Sequence, residues 1–298
     1  MVEPRTLKLA DGTTTDGVSG EMLKHVHAAY IWALQANKSK FCPACRVLEP
    51  MRAEWNPHVT DAGNNNVKTA TDQALRDCIL CDLHGFLVQR PTVHRDSTVQ
   101  FGWAVGLREQ VYRDIHQHAR HAVGERGREE PQPMSEEAPQ AETGETAQVP
   151  KAARPITAQM LYSRPTRSGI YALVSLFQPW RIGLNTITYQ YPEGLDRQER
   201  YQLALQAYQT MFWRTDGAMT TTRLPHLEAF EGVLVIARQN IPVPVVSPLK
   251  DKYQAEIEDL AKASDNAFEY KLFNDLTGFV KELRQLEGDQ PYTLSMPA

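Results

Sequence analysis

Ser19-Gly20-Glu21-Met22-Leu23-Lys24-His25-Val26, continued through Leu34, is the stretch on which the reading of the fold turns. Leu23, Val26, Tyr30 and Ala33 recur at helical spacing, and Ser19 stands where its hydroxyl accepts a bond from a first-turn amide. A helix over 20–34 follows. Small residues ahead of it leave the first amides accessible, and the helix dipole favours an anion there. Lys24 and His25 add donors one turn in. A phosphate contact and an ordinary capped helix both fit this stretch taken alone. Upstream, residues 1–18 are short of apolar side chains and contain Asp11-Gly12 and Asp16-Gly17, both turn signals. Nothing there is strand-like for long.

Downstream of the helix, Cys42-Pro43-Ala44-Cys45 and Cys78-Ile79-Leu80-Cys81 hold every cysteine of the chain. C-x-x-C bends the backbone so that two sulfurs converge on one ion, and zinc takes four tetrahedral thiolate or imidazole ligands. The 32 intervening residues exceed the usual zinc-ribbon spacing. Four buried thiols and a redox pair are the alternatives, but neither explains two pairs of equal spacing with no cysteine left over. Cys42, Cys45, Cys78 and Cys81 are therefore the expected ligands of a zinc. Four protein thiolates leave no open position, so its role is structural. It would close the 45–78 excursion, which reads as too polar to hold itself together.

Further along, 83–88 and 99–107 read as strands, the second with Val99, Phe101, Trp103, Val105 and Leu107 at period two. Strands are expected again at 170–177, 182–189 and 232–237. Helices are expected at about 196–213, 253–263 and 269–286. Between them, 124–150 is rich in Pro, Glu and Gln and too poor in large apolar residues to offset its ordering entropy, so it reads as disordered. The irregular alternation of helices with hairpin-like strands predicts an α+β fold rather than a doubly wound parallel sheet.

The chain has 298 residues, 42% hydrophobic and 23% charged, enough for a sizeable core in one large domain or two small ones. Its net charge of −4 argues against a wholly basic nucleic-acid module. The acidic residues concentrate in 125–145, however, and the remainder is close to neutral. A nucleic-acid partner is thus not excluded. No apolar run is long enough to span a membrane, and the N-terminus lacks a secretory pattern. A cytoplasmic location is the default expectation, and a reducing cytosol favours metal ligation over disulfides.

Two further stretches bear on binding. Gln159-Met160-Leu161-Tyr162-Ser163-Arg164-Pro165-Thr166-Arg167-Ser168-Gly169 interleaves arginines with apolar and aromatic side chains. That mixture suits single-stranded nucleic acid, though a solvated loop fits as well. His116, His118 and His121 cluster with Arg113 and Arg120 but lack a partner at ligand spacing, and read as a polar face. His84 and His226 read as satisfied structural histidines. There is no G-x-x-x-x-G-K-[ST], H-E-x-x-H or G-x-S-x-G, and the aspartates have no paired spacing.

Several of these segments together resemble one family. Val18 to His25 is similar to the "SG-x-M-x-K-H" helix of the DevR-like branch of CRISPR Cascade backbone subunits. Cys81-Asp82-Leu83-His84-Gly85-Phe86-Leu87 resembles its "DIHGFL" strand, and Arg95-Asp96-Ser97 with Phe101 and Trp103 its following strand. Arg167-Ser168-Gly169-Ile170-Tyr171-Ala172-Leu173-Val174-Ser175 and Arg181-Ile182-Gly183 resemble its "SGIYAFVS…RIG" core. Gly217-Ala218 and Arg223-Leu224-Pro225 are similar to a late "GA…R-x-LP" loop. The motifs run in the family's order through most of the chain.

The resemblance implies a single modified RRM-like, ferredoxin-type palm over 1–298, with a fingers insertion at about 36–82 and a hairpin thumb at about 107–168 that contains the acidic stretch. It implies a non-catalytic subunit whose copies stack along a CRISPR RNA, beside other Cascade subunits, and present that RNA for pairing with target DNA in antiviral defence. Ser19, Gly20, Met22, Lys24 and His25 would then contact phosphates. Met160, Tyr162, Arg164 and Arg167 would belong to the thumb, and Gly217 and Arg223 would line the groove. One departure is expected, because the family opens with a strand before the Ser-Gly helix; either Lys8 and its neighbours are what remains of it, or the chain starts late. Two other functions remain in view, a target-RNA nuclease using Asp16 and a zinc-dependent transcriptional regulator that binds duplex DNA.

Overall fold

The computed structural model describes residues 5–61, 66–120, 160–214 and 224–294. The chain forms two compact units, one of 1–111 with 169–298 and a smaller one of 112–168.

The larger unit begins with a hairpin where no long strand was expected, and its first strand ends at Lys8. Strand β1 (Arg5–Lys8) pairs antiparallel with β2 (Thr14–Val18), with Arg5 opposite Gly17 and Lys8 opposite Thr14. The Asp11-Gly12 turn joins them: the Asp11 carboxylate accepts from the Thr13 amide at 3.0 Å, and Gly12 has φ 83. Asp16-Gly17, also read as a turn, lies inside β2. Thr15, Asp16 and Gly17 are buried there, and the Leu7 side chain fills the space a Cβ on residue 17 would need. A five-residue strand with polar residues facing inward shows no apolar alternation, which is why the sequence hid it. The departure from the family pattern therefore disappears, for β2 runs directly into the Ser-Gly helix.

Helix α1 spans Gly20–Leu34, as expected, with the Ser19 hydroxyl accepting from the Met22 amide at 3.3 Å. Its Val26, Tyr30 and Ile31 enter the core and face α6 (Arg197–Trp213), whose N-cap is Asp196. At the start of α1 the Phe101 carbonyl occupies the place of a Cβ on residue 20, so only glycine lets the helix approach β5 (Val99–Phe101) this closely.

Between α1 and β3 (Phe86–Gln89) lies a lobe of short helices: α2 (Pro43–Arg46), α3 (Pro57–Thr60), α4 (Val67–Asp77) and α5 (Ile79–His84), with a 3₁₀ turn at Arg52–Trp55. Contrary to expectation, this excursion is well packed, its buried side chains joining the same core as α1 and α6. Phe41, Ala53, Val59, Ala70, Ala74, Leu75 and Leu83 are all fully buried. Alanines and single valines on short helices pack closely but raise no hydrophobic signal in a window dominated by polar residues.

The rest corrects strand boundaries. The expected 83–88 strand is the last turn of α5, then Gly85 with φ 72, then β3 paired with β4 (Thr92–Arg95). The expected 99–107 strand breaks at Gly102-Trp103 into β5, which pairs with β8 (Ser175–Phe177), and β6 (Ala104–Arg120), which pairs with β2. The main sheet has the order β1-β2-β6-β7, where β7 is Met160–Ala172. The expected strand at 182–189 is a turn closed by an Asn185–Gln190 bridge. The expected helix at 269–286 divides into β10 (Glu269–Phe273), antiparallel to β9 (Gly232–Ile236), and α8 (Leu276–Leu286) capped by Asp275. Helix α7 (Tyr253–Ala263) lies where it was read. Phe212, Phe230, Phe273 and Phe279 pack edge-on and tilted to seal α6 against α8. The architecture is α+β with antiparallel sheets.

The smaller unit is described through 112–120 of β6 and 160–168 of β7, where the Thr166 hydroxyl donates to the Asp114 carbonyl at 3.4 Å. The acidic stretch 124–150 lies outside the described residues.

Candidate metal centre and nucleic-acid interface

Both C-x-x-C pairs stand at helix starts: Cys42 is the N-cap of α2 and Cys78 that of α5. The turn brings each second cysteine back beneath the first, and the Cys81 amide donates to the Cys78 sulfur at 3.3 Å. Packing of α2 against α5 then places all four sulfurs within 4.8 Å of one another, every one buried. Cys42 and Cys45 lie 3.8 and 4.0 Å from Cys81, sulfur to sulfur. A tetrahedron with metal–sulfur bonds of about 2.3 Å has edges of about 3.8 Å, so the donor set fits an ion. No sulfur is bonded to another; all four are free cysteines.

The electrostatics agree. Hydrogen bonds from Cys45, Cys78 and Cys81 pull the Cys42 thiol down, whereas burial pushes Cys81 up. Four sulfurs in so dry a place cannot all become thiolates on their own, but a divalent cation at their centre would compensate the charge. The four cysteines can thus hold a metal such as zinc.

The family-like segments meet at a second place, which the sequence did not suggest. Asp82, one residue beyond the last cysteine, is wholly buried. Its carboxylate accepts from Arg95 at 2.6 Å, from Arg200 at 2.6 Å and from the Gly183 amide at 2.9 Å. Arg95, also buried, donates further to the carbonyls of Asp82, Arg181 and Leu184. The "DIHGFL"-like, "RDS"-like and "RIG"-like segments are therefore held to α6 by one buried ion cluster. Beside it His27 Nδ1 meets His84 Nε2 at 3.0 Å, and His27 Nε2 donates to the Ala204 carbonyl at 3.0 Å. Burial lowers His27 to about 3 and holds His84 well below its usual value, so both are neutral. His84 Nδ1 has no partner among the described residues. His226, read as satisfied and structural, is exposed.

Of the residues read as RNA contacts, Ser19, Gly20, Met22, Lys24 and His25 share the start of α1. Gly20 is buried, His25 exposed, and Ser19, Met22 and Lys24 half-buried. Lys24 makes no hydrogen bond or ion pair among the described residues; burial and the charge of Arg52 lower its pKa. Met160, Tyr162, Arg164 and Arg167 lie on β7 within the smaller unit. Gly217, Arg223 and His121 lie outside the described residues, and His116 pairs with Asp114 at 3.2 Å. Asp16 is fully buried in β2.

Fold and site define an α+β protein with antiparallel sheets, whose paired cysteines close into one buried candidate metal site. Residues 1–258 match the family described as CRISPR-associated negative auto-regulator DevR/Csa2. The chain belongs to that family of CRISPR-associated proteins. No curated protein matches it. Among the described residues, no helix is long and apolar enough to cross a membrane.

Proposed function

We propose that this chain is a non-catalytic, RNA-binding backbone subunit of a Cascade-type effector, with an RRM-like palm whose copies assemble along a CRISPR RNA. The observation that carries the reading is family membership over 1–258. The start of α1 supports it, because the same Ser-Gly helix that resembles the family's motif presents the half-buried Lys24, which has no ion pair among the described residues, beside exposed His25. In this reading the ion held by Cys42, Cys45, Cys78 and Cys81 is zinc, since a soft thiolate tetrahedron suits it, and its role is to fix the lobe rather than to react. Met160, Tyr162, Arg164, Arg167, Gly217 and Arg223 are the remaining proposed contacts. The protein's partners are guide RNA, target DNA through pairing, further copies of itself and other effector subunits.

The full burial of Asp16 speaks against its use as a metal-binding carboxylate in RNA cleavage. The second reading is an autoregulator that binds duplex DNA, favoured by the wording of the family description. The two separate in one experiment. The purified chain is mixed with single-stranded RNA of increasing length, and the mass of the complex is followed with duplex DNA as competitor. Mass rising in steps with RNA length, and poor displacement by duplex, is expected. Equal displacement by duplex DNA, or cleavage of the RNA in magnesium, would sink the backbone reading.

A further inference from the structure

Strand β9 reads Gly232-Val233-Leu234-Val235-Ile236, a run without a charge, a proline or a polar side chain. Such a run marks a strand covered on both faces, the character of an inner strand. Its faces fit that description. Val233 and Val235 pack, with Tyr270 of β10, against Ile257 and Ala261 of α7, and Leu234 joins the main core on the other side. Its edges do not. Among the described residues β10 is the only strand paired with β9, and no backbone group outside that pair bonds to it. Every second residue of an antiparallel strand turns its N–H and C=O away from its partner. β9 therefore carries a row of unspent donors and acceptors along its outer edge, and its residues are half-buried rather than buried.

Other strand edges are protected. β1 carries Arg5 and Lys8, β7 carries Pro165 between Arg164 and Arg167, and β10 carries Glu269 and Lys271. Charges and proline keep an open edge from pairing, and β9 has neither. Its flanks define what would pair with it. Glu231, next to its start, is exposed and has no ion pair among the described residues. Arg238, just past its end, is already engaged by Glu269 at 3.3 Å and by Asp289. An incoming strand thus meets one unmatched carboxylate and no free cation. A second copy paired through the same edge would bring only the engaged Arg238 to Glu231.

We propose that the outer edge of β9 accepts an extended segment of another polypeptide as a third strand, one with alternating β-branched side chains and a lysine or arginine beside Glu231. Main-chain hydrogen bonds supply the affinity of such strand addition, and side chains the register. None of the proposed RNA contacts lies on β9 or β10, and β10 lies beyond the residues matched by the family model. The site is separate from the RNA reading and stands without it.

The test uses the full chain, free of RNA, and a synthetic peptide of sequence Lys-Thr-Val-Thr-Val-Thr. Saturable binding is expected, with about tenfold weaker binding of a version carrying proline at its centre, the scale of a lost hydrogen bond. Amide hydrogen exchange locates the peptide. The outward amides of β9 should exchange fast in the free chain and slowly in the complex, while those bonded to β10 stay slow in both. Glu231→Lys, an exposed substitution, should weaken the lysine peptide about two- to fivefold, the scale of a cross-strand charge pair, and strengthen a version beginning with glutamate by a similar factor. Equal binding of the peptide and its proline version, or binding that leaves exchange in β9 unchanged, would overturn the proposal. Slow exchange of every β9 amide in the free chain would overturn it too: in a monomer the chain would be covering its own edge, and in a dimer a second copy would.

Discussion

His27 sits at the bottom of the contact between α1 and α6, with Tyr208 edge-on at 4.5 Å and His84 at 3.0 Å. Its acceptor nitrogen faces the other histidine, so protonating either ring places a charge in a space without a counter-ion. The folded pKa of each is depressed, which means the unfolded chain takes up protons first as pH falls. Stability is therefore complete above about pH 6.5 and declines below it, by up to about 1.4 kcal/mol per pH unit for each histidine. For His27→Asn we expect a lower urea midpoint than wild type at pH 7.5 and a gap that narrows by pH 5.5. A gap that is constant or widens would show that His27 is not held neutral. The sequence read His84 as structural, which its burial supports. It gave no sign of His27 as its partner, because 57 residues separate them and the pairing exists only once α1 and α5 pack.

The cysteine lobe is the element with the clearest signature and the least expected interior. Two equal C-x-x-C spacings are a local matter, since three residues of turn determine that two sulfurs face the same way. The convergence of the pairs depends on α2 meeting α5. Elemental analysis of protein purified without chelator should find close to one zinc per chain, and a value near zero would exclude the metal. Where zinc is present, its removal leaves buried thiols that cannot all ionise, so Cys42→Ser or strong chelation should open the 46–77 region to protease before the rest of the chain. Unchanged digestion would mean that the apolar interior around Phe41, Ala53 and Leu75 suffices by itself. That interior escaped the sequence reading because short helices bury few residues each, and small ones.

Across the larger unit, Asp82 binds groups drawn from positions 95, 183 and 200, and so ties α5, the end of β4, the 182–190 turn and α6 to one point. Such a cluster stabilises little in sum, because all three charges were taken out of water, but breaking it leaves buried charge uncompensated. Asp82→Asn strands Arg95 and Arg200 and should cost about 3–5 kcal/mol in urea unfolding. A loss below about 1 kcal/mol would show that the arginines find other acceptors. The family-like motifs were visible in the sequence as a set in order. Their convergence on Asp82 was not, and it explains why residues with the look of a binding pattern include several that serve packing.

By itself the sequence determined what depends on neighbours along the chain: α1 with its Ser19 cap, α6 with Asp196, the two cysteine pairs, and the α+β class. It also carried the family in the order of its motifs. Only the tertiary structure decided what depends on groups far apart in the chain. It alone placed Asp16 in a strand rather than a turn, since the Leu7 side chain and β6 supply the burial that the local residues do not announce. It alone split 99–107 between two sheets and ended α5 at Gly85 where a strand was expected. Local periodicity reports one element's own apolar face. A buried ion cluster or a close backbone approach depends on what another element brings, and no spacing within a single segment encodes it.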